Sequence, residues 1–126
     1  MSVVLDASAV LAVIFEEPGS EIVLAASKGS LLSTVNFVEV LLKSAEWRIA
    51  AEDVLAQLGR LEVSLVPFDL AQAKVSATLH PILHEKGISF ADRACMALAT
   101  TTGSAILTGD KDWALLDLGL DIRLIR

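Results

Sequence analysis

Short apolar runs rich in branched side chains alternate along this chain with longer stretches whose apolar residues recur every three or four positions. Residues 2–5 predict a short buried strand that stops at Asp6, and residues 9–15 carry helix formers that are apolar all round. Glu16-Glu17-Pro18-Gly19-Ser20 reads as a turn, with Pro18 or Ser20 opening a second helix through Ala26 and Gly29 ending it. Residues 31–35 predict a second strand, 36–49 and 52–61 two helices, and 63–66 a strand closed by Pro67. Asp69-Leu70-Ala71-Gln72 has capping-box spacing, so a helix runs from there to about His80, where Pro81 bends or ends it. After Gly87, Ser89 opens a helix to about Thr101, residues 105–107 form a strand, 111–116 a short helix and 122–125 a last strand. Strands alternating with helices predict a three-layer α/β fold, a central parallel sheet of about five strands flanked by helices, as one domain over residues 1–126.

Composition sharpens this reading. Hydrophobic residues make up 54% and charged residues 21%, which excludes disorder and collagen-like structure. The apolar excess fits parallel strands buried on both faces, and it equally fits a covered partner surface. No apolar run approaches the roughly 20 residues that span a bilayer, and the first residues carry no basic segment, so neither membrane insertion nor export is expected and the cytoplasm is the expected location. Cys95 is the sole cysteine, and its setting in Ala94-Cys95-Met96-Ala97-Leu98 predicts a buried helix position rather than a reactive thiol. The net charge of −6 argues against tight nonspecific binding to nucleic acid, which depends on basic residues releasing counterions. Bound divalent cations would invert the local charge that a phosphate meets.

Four acids fall at equivalent places: Asp6 after the first strand, Glu39 early in the helix after the second, Asp92 near the start of its helix, and Asp110 after the 105–107 strand. Strand C-termini and helix N-termini share one edge of an open parallel sheet, and ligands bind there. Each acid also has a structural explanation. Asp6 suits an N-cap, Asn36-x-x-Glu39 and Ser89-x-x-Asp92 resemble capping boxes, and Asp110 suits the N-cap of the short helix. Together they repel: two unit charges about 6 Å apart cost about 3 kcal/mol at an effective dielectric of about 20. A cation removes that cost, and an all-oxygen donor set suits Mg²⁺ or Mn²⁺ better than zinc. His80 and His84 are spaced i, i+4, but Pro81 lies between them and no HExxH pattern surrounds them, so no zinc site is expected.

The same residues carry a family resemblance. Val4-Leu5-Asp6-Ala7-Ser8-Ala9 resembles the opening motif of PIN domains, and Asn36-Phe37-Val38-Glu39-Val40 their second acidic motif. Ser89-Phe90-Ala91-Asp92-Arg93-Ala94-Cys95, then Leu107-Thr108-Gly109-Asp110-Lys111-Asp112-Trp113, look like the third and fourth motifs of VapC-type toxins. The resemblance implies a PIN-like five-stranded fold, a homodimer, and an Mg²⁺- or Mn²⁺-dependent endoribonuclease that cleaves RNA by metal-activated water attack. It further implies the toxin of a type II toxin–antitoxin pair, inhibited by a cognate VapB-type antitoxin. Asp6, Glu39, Asp92 and Asp110 become metal ligands or base-positioning acids, while Ser8 and Thr108 support the site. Asp112 either contributes through water or caps the short helix. Arg93 and Lys111 adjoin pocket acids and either contact phosphate or pair with those carboxylates. The chain departs from an average member in lacking a lysine or arginine cluster beside the motifs.

Three other readings compete. A receiver-like Mg²⁺-binding phosphoacceptor module shares the length, parallel sheet and acidic pocket, but receivers carry paired acids after the first strand and a lysine–proline after the last, where this chain has the single Asp6 and no such lysine. A haloacid-dehalogenase-like phosphatase would need a longer chain and a dedicated lysine. A catalytically silent PIN binding module is the remaining alternative, disfavoured because all four acidic positions are filled. Trp47 and Trp113 suit either base stacking or a core or interface position.

Overall fold

The structure, a computed structural model, describes residues 2–126. Among these, five short strands, β1 (Val3–Leu5), β2 (Leu31–Ser33), β3 (Ser64–Val66), β4 (Ala105–Thr108) and β5 (Ile122–Leu124), form one parallel sheet in the order β3-β2-β1-β4-β5. Six α-helices connect them: α1 (Ala7–Ile14), α2 (Ser20–Ala26), α3 (Thr34–Glu46), α4 (Ala51–Arg60), α5 (Leu70–Leu83) and α6 (Phe90–Thr102). Short 3-10 turns follow at His84–Lys86 and Lys111–Leu115.

The central strands β1 and β4 are apolar but for Thr108 because both faces of the sheet are covered there, whereas the edge strands β3 and β5 carry the exposed Ser64 and Arg123. Side chains alternate across a strand, so Leu5, Leu32 and Leu107 join a core roofed by α1, α2, α3 and α4. Val4 and Ile106 point the other way, into a second core with Leu83, Met96, Leu98 and Trp113. The register Val3↔Ala105, Val4↔Ile106, Leu5↔Leu107 sets like faces side by side in the middle of the sheet. Two cores account for much of the apolar excess. The rest lies outside, with Leu42, Trp47, Leu70 and Leu115 each more than 60% exposed. Among the described residues no helix is long and apolar enough to cross a membrane.

Three local expectations change. The helix of residues 36–49 starts earlier, at Thr34, because Ser33 Oγ accepts the Val35 N–H at 3.2 Å. Asn36 is therefore inside α3 and buried, and the capping box it was expected to form with Glu39 does not exist. α5 does not end at His80 but passes through Pro81 to Leu83. The proline forfeits only the bond to the Ala77 carbonyl, and Ala77 is exposed, so water can satisfy it. At the start of α5, Asp69 Oδ1 accepts the Gln72 N–H at 2.9 Å, but the Gln72 amide turns to the Pro67 carbonyl instead of closing the box.

Strand order reverses between β1 and β4, so the C-terminal ends of these two neighbours open a crevice. Receivers of the doubly wound type have the order 2-1-3-4-5. The order here sets the receiver alternative aside.

Candidate active site

Asp6 ends β1 at this reversal, and its N–H donates to the Leu107 carbonyl of β4 at 3.0 Å. It holds the N-cap position of α1, yet its side chain makes no capping bond. Instead Oδ2 accepts two hydroxyl protons, from Ser8 Oγ at 2.8 Å and Thr108 Oγ1 at 2.8 Å. Each hydroxyl is itself oriented by a backbone donor, Gly109 N–H to Ser8 Oγ at 2.9 Å and Asp110 N–H to Thr108 Oγ1 at 3.1 Å. Both protons thus go to one oxygen, which leaves Oδ1 for a ligand. A Cβ at Gly109 would meet only the far end of the exposed Arg126 side chain, with Nη2 2.8 Å from that position, and this side chain can swing aside.

The other three acids reach the same place from different elements. Glu39 lies in the second turn of α3 and is half-buried. Asp92 is the third residue of α6 and forms the expected capping box: its N–H donates to Ser89 Oγ at 3.1 Å, and its Oδ2 accepts the Ser89 N–H at 3.2 Å. Asp110 caps the second 3-10 turn, its Oδ1 accepting the Asp112 N–H at 3.0 Å. Asp6, Ser8, Glu39, Asp92 and Asp110 all line one cleft of about 410 Å³. Capping and site lining are therefore compatible, since a carboxylate can spend one oxygen on the backbone and keep the other for the cleft.

The electrostatics are those of acids with little compensating charge, Arg93 lowering Asp92 and Lys43 lining the cleft. Burial pushes the Asp6 carboxyl up, against the lowering effect of the Ser8 and Thr108 hydroxyls, and Asp92 pushes it up further. Glu39 is raised by burial, then by Asp6 and Asp92. Asp92 is raised by burial, its bonds to Ser89 oppose this, and Asp110 adds to the rise. Among the described residues the ion pairs are Lys43–Glu46 and Arg123–Asp121, and neither neutralises these four acids. Nor do any three acids stand close enough to enclose an ion by themselves. The donor set still fits a hard divalent cation that keeps most of its waters and takes one or two carboxylates plus a substrate phosphate. Asp6, through Oδ1, and either Asp92 or Asp110 are the side chains that would hold it, the others acting through its waters.

Other candidates fall elsewhere. Asp112 is exposed and does not line the cleft, giving only its N–H to Asp110. The Arg93 guanidinium donates to the Ile88 carbonyl at 3.0 Å, and Lys111 is exposed and makes no ion pair. Trp113 is fully buried in the second core, whereas Trp47 is exposed and stands 6.2 Å from the Phe15 ring. Cys95 is buried, which pushes its thiol well up and out of nucleophilic use. Lys43, not singled out in the sequence, and Asn36, expected there only as a cap, both matter here. Lys43 lines the cleft one turn beyond Glu39, a spacing that was legible once α3 was drawn. Asn36 Nδ2 donates to the Ala91 carbonyl at 2.9 Å, tying α3 to the start of α6 and so Glu39 to Asp92. No sequence pattern signals that bond.

The chain belongs to the PIN domain family, whose model matches residues 3–118. No curated protein sequence matches it significantly. Its fold is similar to a chain of the DNA-bound VapBC from Salmonella typhimurium, at 17% identity and TM-score 0.75, covering 100% of this chain and 99% of that one. It is likewise similar to a chain of VapBC2 from Rickettsia felis bound to a fragment of promoter DNA, at 15% identity and TM-score 0.75, with 98% of each chain covered. A toxin–antitoxin complex from Klebsiella pneumoniae contains a third, at 14% identity and TM-score 0.74, again with 98% of each covered.

The raised carboxyls have a consequence for stability. A carboxyl whose folded pKa lies above its ordinary value of 3.8 binds its proton more tightly in the native state, so stability falls as pH rises from 3.8 through the folded value and stays lowered above it. Asp6→Asn removes that penalty while keeping an oxygen for both hydroxyls. Without divalent cations, the variant is expected to melt above the parent at pH 8, with the gap shrinking toward pH 4. A variant that melts at or below the parent at pH 8 contradicts the assignment.

Proposed function

We propose that this cleft is the active site of an Mg²⁺- or Mn²⁺-dependent endoribonuclease acting as the toxin of a VapBC-type pair. The observation that carries this reading is the convergence of Asp6, Glu39, Asp92 and Asp110, none of them in an ion pair, on one cleft at the strand-order reversal. Nuclease activity is general to PIN domains, and the fold resemblance to VapBC chains supports the toxin role. When bound, the ion supplies positive charge at the scissile phosphate and makes water a usable nucleophile near neutral pH. Asp6 contributes Oδ1 at a position fixed by two hydroxyls, the kind of outer support that orients carboxylate ligands. Glu39, whose carboxyl is raised by burial and by Asp6 and Asp92, takes the proton of the attacking water. Water adds across the P–O3′ bond, leaving a 5′-phosphate and a 3′-hydroxyl. Leu11, Phe15 and Trp47 line a neighbouring cleft of about 520 Å³, an apolar surface suited to an antitoxin helix. Exposed apolar residues on other faces, Leu70 and Leu115 among them, suit a homodimer.

One observation favours a second reading, a silent PIN binding module: no three acids are within reach of one ion as they stand. Incubating structured cellular RNAs with the purified chain separates the two. Mg²⁺ or Mn²⁺ is expected to give fragments that EDTA suppresses, and Asp6→Ala or Asp92→Ala is expected to abolish them while leaving the protein folded. Parent-rate cleavage by either variant removes the site assignment, and no cleavage under any metal condition leaves the silent module.

Among the described residues Lys43 is the one cation that lines the cleft, and its exposed pair with Glu46 at 3.6 Å holds it only weakly. It is free to swing onto a substrate phosphate. Lys43→Gln is expected to act mainly through a raised KM and to flatten the salt dependence of RNA binding by roughly one unit of slope. An unchanged KM and slope would show that the lysine does not meet RNA.

A further inference from the structure

The passage of α5 through Pro81 places two imidazoles side by side, away from the acidic cleft. The His84 N–H donates to the His80 carbonyl, so an α-helical turn joins the two residues. Residues one such turn apart share a helix face, with Cβ atoms about 5–6 Å apart. The two rings stand 4.6 Å apart between centroids and 30° apart in plane, and both residues are exposed. With metal–nitrogen bonds of about 2.0–2.1 Å, two imidazoles in adjacent positions on one ion have centroids roughly 4.5–5 Å apart. The observed spacing falls within that range, so binding requires little rearrangement of the helix.

We propose that His80 and His84 form a two-nitrogen chelating site for a late first-row transition-metal dication such as Zn²⁺, Ni²⁺ or Cu²⁺. Imidazole selects these ions, whereas the carboxylates of the cleft select hard ions such as Mg²⁺ and Mn²⁺. No residue of α5 lines the acidic cleft, so the two sites are separate. Water fills the remaining coordination positions, since no acid or cysteine completes a set of three here among the described residues. The site has the i, i+4 histidine spacing that binds zinc on other helices, without a third ligand or an adjacent catalytic acid.

Calorimetric titration of the full chain with Zn²⁺, in excess Mg²⁺ to occupy the carboxylates, tests this. One Zn²⁺ per chain is expected, and Asp6→Ala should leave its affinity unchanged. Loss of an outer partner of a metal ligand already weakens affinity about 10–100-fold, so His80→Ala or His84→Ala should weaken it by at least about tenfold. Both rings are exposed, so these variants are expected to fold, and a melting curve for each confirms it. Parent affinity in either histidine variant, or loss of the Zn²⁺ site in Asp6→Ala alone, overturns the proposal.

Discussion

A carboxylate in a cleft floor gives up much of its hydration, and here two hydroxyls offset that loss at one oxygen. Ser8 approaches Asp6 from the helix that follows β1, and Thr108 from the end of β4. Their geometry depends on the sheet: β1 and β4 must be parallel neighbours, in register from Val3–Ala105 to Leu5–Leu107, for residues 102 positions apart to meet at 2.8 Å. The reversal of strand order at that point keeps helices from covering the crevice. The fold thus supplies both the opening and the clamp.

The remaining acids are arranged around this fixed point with little to neutralise them. Asp92 and Asp110 each engage a backbone N–H through one oxygen, which orients the carboxylate without cancelling its charge. Asn36, buried with its Nδ2 on the Ala91 carbonyl, fixes α3 against the start of α6. Its Oδ1 has no partner, a further polar atom left unsatisfied near the cleft. Such arrangements lower native stability in favour of binding, and they explain how a chain of net charge −6 can still present an attractive site to a phosphate once a dication is bound.

Much of this was legible in the chain. The alternation of short branched runs with amphipathic stretches located all five strands and six helices, because parallel strands covered on both faces are mainly apolar. The acids were legible as a set through their place at strand ends and helix starts. What the pattern missed depended on contacts distant in sequence or on local competition. Ser33 won the cap of α3 from Asn36 because its hydroxyl sits directly at the strand end. Pro81 is accommodated inside α5 where Ala77, the residue whose carbonyl it strands, is exposed, which no local rule reveals. That continuity is also what brings together a histidine pair that Pro81 had seemed to separate. The Thr108 bond to Asp6 required knowing which strand lies beside β1.

On the proposed function, the oxygen of Asp6 left free by the hydroxyl clamp, together with Asp92 or Asp110, would hold a hard divalent cation. Anomalous diffraction from crystals grown with Mn²⁺ locates such an ion directly. The account predicts a peak in the cleft, bonded to Asp6 Oδ1 at about 2.0–2.2 Å, the range of compact octahedral oxygen sites, with water completing its shell. A cleft without a peak at saturating Mn²⁺, or a peak bound to acids other than Asp6, would contradict it.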